Sequence, residues 1–203
     1  MFSNGFSGAS FFNSFNLMCY NAIFTILPVI FFLQDKDIEE SSVFLHPYVY
    51  QDSQNSIFFN KRTLFWWYMR GIYQAIVITI IWVFVFTEHH ANNVDGNSAT
   101  LDEAQQVVYS SIILVVLLTV TLDTMHFTAL NLMFIWGSWV LYILFAVIAS
   151  SIHTMGMLKE MYLVMWRTTA NPIHWCTVIT MVSAAIAPQF FAQSIVTMIS
   201  PTR

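Results

Sequence analysis

Five long apolar runs separated by polar stretches organise the chain, at approximately 17–34, 63–87, 105–122, 127–152 and 173–199 of its 203 residues. A hydrocarbon core about 30 Å thick takes roughly 20 helical residues to cross. Inside it a free amide finds no partner, so a spanning segment is either a helix or part of a closed barrel. These runs are too long for barrel strands and do not alternate with a period of two. The pattern predicts an all-α integral membrane protein, a multi-pass bundle of five transmembrane helices forming one domain over residues 1–203.

Composition sharpens that reading. Charged residues make up 9% of the chain and hydrophobic residues 57%, far from the roughly 25% charge of soluble domains. No basic cluster points to nucleic acid. Cys19 and Cys176, the two cysteines, each lie inside an apolar run and read as small hydrophobes. The six histidines, His46, His89, His90, His126, His153 and His174, show no spacing that would gather metal ligands, so no metal site is expected. The chain has no Gly-rich phosphate loop and no Asp-Lys-Thr-Gly phosphorylation sequence. It therefore holds no catalytic residue and no cofactor of its own.

Loop charge gives an orientation. Lys36, Lys61, Arg62, Arg70 and Arg203 fall on one side of the alternating spans, and Lys159 and Arg167 on the other. The positive-inside rule then puts the 35–62 loop and the C-terminus in the cytosol and the N-terminus outside. An odd span count with an outside N-terminus suits the tail of a larger membrane domain better than a free-standing protein. Phe65-Trp66-Trp67-Tyr68 reads as an aromatic belt at the cytosolic interface.

The polar residues inside the spans carry the candidate chemistry. Asn21, Thr25 and Pro28 are spaced by four and three, so in an α-helix they share a face. Pro28 has no N–H to give the carbonyl of Phe24. The stripe reads either as polar glue between helices or as a path for a polar headgroup or ion. Gln34-Asp35-Lys36-Asp37 then marks the cytosolic mouth of that span. Asp123 and His126 flank the short connection between the third and fourth runs and read as an interfacial cap or pair. Gly137 and Ser138 predict a close helix approach, and Pro188 a kink in the last span.

The order Tyr20-Asn21-x-x-Phe24-Thr25-x-x-Pro28, followed by Asp35-x-Asp37, resembles the sixth helix of the phospholipid flippases, the type IV branch of the P-type ATPases. Downstream, Pro47, Tyr50, Gln54, Phe59-Asn60, Trp66 and Gly71 are similar to the approach to that family's seventh helix. Leu122-Asp123-Thr124, Phe127-Thr128, Asn131 and Ile135-Trp136-Gly137-Ser138 are similar to the junction of its eighth and ninth. Trp175 and Pro188 resemble its last. Ile26 stands where the family has Ser or Thr, and Phe127 where it commonly has Trp. The resemblance implies the last five helices of a flippase.

On that resemblance the full enzyme uses Mg-ATP to move a phospholipid toward the cytosolic leaflet of an endomembrane or the plasma membrane. Asn21, Thr25 and Pro28 bind the headgroup. The remaining flippase polypeptide and a glycosylated accessory subunit, touching the 88–103 and 151–171 loops, are the implied partners. The alternative is a flippase-derived structural or accessory subunit without catalysis.

Overall fold

A computed structural model of the chain describes residues 11–12, 14–32, 60–87, 99–124, 129–151 and 163–199. Regular structure among the described residues is all helical. The first run forms α1 (Ser14–Cys19), a π-helical segment (Tyr20–Phe24) and α2 (Ile26–Phe32). The second forms α3 (Lys61–Trp82), which runs on as a π-helical turn, Val83–Thr87. Then come α4 (Leu101–Asp123), α5 (Ala129–Ser151), α6 (Val164–Ala170) and α7 (Pro172–Ile199). The Asp35-Lys36-Asp37 cluster, His126 and most of the 88–103 and 151–171 loops lie outside the described residues.

Among the described residues four helices, α3, α4, α5 and α7, are long and apolar enough to cross a bilayer. The expected bundle of five transmembrane helices is corrected at the first run, which is broken into shorter helical pieces. The reason is local. Thr25 gives both its N–H and its hydroxyl to the carbonyl of Tyr20, five residues back, at 3.1 and 3.0 Å, and that is π rather than α register. Pro28, three residues later, cannot close an α-type bond to Phe24.

The hub of the bundle is α4. Half of its apolar window is buried, against 11% for α3, and it packs against α7, α6, α5, α3 and α2. One face, with Tyr109, Ile113 and Leu117, meets Cys19, Phe24, Ile135, Tyr142 and Ala146. The other, with Ala104, Val108 and Val115, meets Ile78, Trp82, Met181 and Ala185. A helix apolar on both faces belongs in the interior. It begins four residues earlier than the hydropathy pattern suggests, at a capping box. Glu103 N–H donates to Thr100 Oγ1 at 3.4 Å, and Thr100 N–H to Glu103 Oε2 at 3.0 Å, closing two otherwise orphaned donors.

Several hydroxyls inside the spans bond to their own helix. Ser111 donates to the Val107 carbonyl, Thr121 to Leu117, Ser138 to Phe134 and Thr180 to Cys176, at 2.8, 2.8, 2.9 and 2.8 Å. Back-bonding of this kind makes Ser and Thr tolerable in lipid.

At Pro188 the helix α7 is continuous. The carbonyl that Pro188 cannot serve is that of Ala184, four residues earlier, and Tyr73 of α3 donates its hydroxyl to it at 3.2 Å. The close approach expected at Gly137 is not found there: a Cβ at that position meets nothing within 4 Å. Its neighbour Ser138 faces inward and is fully buried. The 151–171 stretch, read as loop, contains the short helix α6.

Candidate functional site

The break in the first run sits where the polar residues were expected, but the π-helical register changes what they present. Asn21 is exposed, Thr25 half-buried and Pro28 fully buried, so the three do not form one exposed stripe. The Thr25 hydroxyl proton is committed to the Tyr20 carbonyl. Its oxygen lone pairs remain able to accept. Asn21 offers an amide with both donors and an acceptor.

Aromatic rings hold the break from behind. Phe24, 0% exposed, meets Tyr142 edge to face at 5.4 Å and Phe145 at 5.6 Å. Tyr20 meets Tyr109 at 6.3 Å. The Tyr109 hydroxyl donates to the Asn16 carbonyl at 2.7 Å, a buried bond that anchors α1 one turn before the π-helical segment.

Tyr142 Oη is in turn fixed by α4. Gln106 Nε2 donates to it at 2.8 Å, and Ser110 Oγ lies 2.6 Å away. Because Ser110 gives its proton to the Gln106 carbonyl at 2.8 Å, the Tyr142 proton goes to Ser110 Oγ and the three groups close a ring. The sequence reading passed over this network. Its signal was the spacing of Gln106, Tyr109 and Ser110, three and four apart, which puts polar groups on one face of an apolar run.

A second polar cluster joins three helices at the far end of α4. Asp123 Oδ2 accepts from Arg70 Nη2 at 2.8 Å and Oδ1 from Arg70 Nη1 at 3.2 Å. Gln189 Nε2 of α7 adds a bond to Oδ1 at 2.9 Å, and Gln193 Nε2 donates to the Leu122 carbonyl at 3.1 Å. The expected cap is thus an ion pair with α3, extended by hydrogen bonds to α7. The separation of 53 residues between Arg70 and Asp123 hid this pairing from any local reading. No group of three or more His, Cys, Asp or Glu side chains comes together among the described residues. His174 is buried and stacked on Phe86 at 5.9 Å.

Together these features define a multi-pass helical membrane domain whose first segment is broken and backed by a polar and aromatic wall. The family model of the phospholipid-translocating P-type ATPase C-terminal region matches residues 1–202, and the chain belongs to that family. It is 31% identical over 189 residues to phospholipid-transporting ATPase 2 of Arabidopsis thaliana, covering 93% of this chain and 16% of that protein. It is 32% identical over 195 residues to phospholipid-transporting ATPase ID of Homo sapiens and of Mus musculus, covering 91% of this chain and 16% of each relative. The chain therefore spans about a sixth of the length of these relatives.

Proposed function

We propose that this segment forms part of the headgroup path of an ATP-driven phospholipid translocase, with Asn21 and Thr25 meeting the headgroup and Pro28 shaping the break that presents them. The observation that carries this reading is the π-helical interruption at Tyr20–Phe24. Such interruptions recur at functional sites, and this one leaves Asn21 exposed beside a hydroxyl whose lone pairs are unspent. Phospholipid headgroups carry hydroxyl or ammonium donors that suit those acceptors. The four long helices act as the supporting bundle.

Mg-ATP is used elsewhere in the intact protein. The 35–62 loop and Arg203 face the cytosol, and an accessory subunit meets the 88–103 and 151–171 loops on the other side. The membrane is an endomembrane or the plasma membrane.

The test is lipid-stimulated ATP turnover of the intact gene product. Asn21→Ala and Thr25→Val should each weaken the apparent affinity for the transported lipid by roughly two- to twelve-fold, the worth of one net hydrogen bond. Thr25→Ser, which keeps the hydroxyl, should restore it. Normal transport by both variants would reduce these residues to helix glue.

A further inference from the structure

We propose that Tyr109 and Tyr142 are positioning residues for the broken span, setting where Asn21 and Thr25 stand; this rests on the headgroup reading above. The two tyrosines bracket the π-helical segment from opposite ends. Tyr109 holds the backbone before it through the 2.7 Å bond to the Asn16 carbonyl. Tyr142 holds its last residue, through the edge-to-face contact with Phe24. Their rings lie 5.7 Å apart, so the two anchors form one wall.

That wall is stiff for a stated reason. Tyr142 is 2% exposed, and its hydroxyl is closed into the ring with Gln106 and Ser110. Rotating the phenol would strand a buried amide donor, which is costly in a low-dielectric interior. Tyr109 is buried too, and its proton has the Asn16 carbonyl as acceptor. The π register at Tyr20–Phe24 and Pro28, which has no N–H for the Phe24 carbonyl, both interrupt the regular α-helical ladder of this span. Two side-chain anchors on its flanks therefore decide its rotation and height, and with them the direction of the exposed Asn21 amide. Both tyrosines act through the carrier segment rather than by touching lipid.

The experiment uses the intact gene product in vesicles containing the transported phospholipid. Tyr109→Phe removes one hydroxyl and keeps the ring. We expect the apparent KM for lipid to rise by up to about two- to twelve-fold, the worth of the one headgroup hydrogen bond that a displaced Asn21 or Thr25 would lose, with turnover at saturating lipid near normal. Combined with Thr25→Val, the two losses should be less than multiplicative, because both act on the same contact. Tyr142→Phe, which leaves the Asn16 bond intact and opens the Gln106–Ser110 ring, is the second variant and should show the same split.

An unchanged KM in either folded variant, or losses that multiply with Thr25→Val, would overturn the proposal while leaving the headgroup reading intact. A silent Thr25→Val would instead strike the headgroup reading itself. A wall that serves only stability would lower the amount of folded protein and leave the KM of the folded fraction unmoved.

Discussion

The hydroxyl of Tyr73 donates to the carbonyl of Ala184 at 3.2 Å, and that carbonyl is the one Pro188 leaves without its helical donor. A proline in a membrane helix is tolerated only when the freed backbone group finds another partner. Here the partner comes from α3, so the bond also ties α3 to α7. Tyr73→Phe should lower stability by about 0.5–1.5 kcal/mol. In a Pro188→Ala background residue 188 supplies its own N–H, and the same change should cost markedly less. Thermal unfolding of the four proteins in detergent checks this: equal costs in both backgrounds would show that the tyrosine has no special tie to the proline.

The Arg70–Asp123 pair makes a related prediction. Both side chains are 29% exposed, so the pair is only partly screened by solvent, and removing one partner is the costly change. Asp123→Ala leaves a guanidinium at the membrane end without its carboxylate and should cost on the order of 1–3 kcal/mol. Adding Arg70→Ala should recover part of that loss. A double variant as unstable as the sum of the singles would mean the two charges do not act as a pair.

At the start of α4, Thr100→Ala removes one half of the capping box and should cost about 0.5–2 kcal/mol. Thr100→Ser should be nearly silent, since Ser caps as well as Thr. The fraction of protein recovered folded from the membrane, followed by its melting temperature, reads both outcomes.

The bundle was largely legible in the sequence because lipid leaves helices few alternatives: the long runs predicted α3, α4, α5 and α7 to within a few residues. The first run misled for a physical reason. Hydropathy reports length and apolarity but not hydrogen-bond register, and register at Thr25 is decided by one hydroxyl and a proline three residues on. Asp123 misled because its partner is remote in sequence; a local reading sees a helix end and infers a cap. Gly137 shows the converse error, in which a small residue implies close packing only if its face is turned inward. The capping box at Thr100-Leu101-Asp102-Glu103 was readable, and shows why α4 starts inside a segment assigned to a loop.

The proposed orientation predicts that cysteines introduced as Ser53→Cys and Ser98→Cys react with a membrane-impermeant maleimide from opposite faces of sealed vesicles. The cytosolic assignment of the 35–62 loop requires Ser53→Cys to label only when the cytosolic face is accessible. Labelling of both from the same face would reverse it.

The central claim is that Asn21 faces the headgroup of a moving phospholipid. Its most direct test places a photoreactive amino acid at position 21 of the intact gene product and captures lipid during turnover. Leu132, exposed on α5, serves as the control for bulk lipid. Crosslinking at position 21 should depend on turnover and be competed by the transported phospholipid, whereas labelling at Leu132 should respond to neither. Equal, turnover-independent labelling at the two positions would contradict the account.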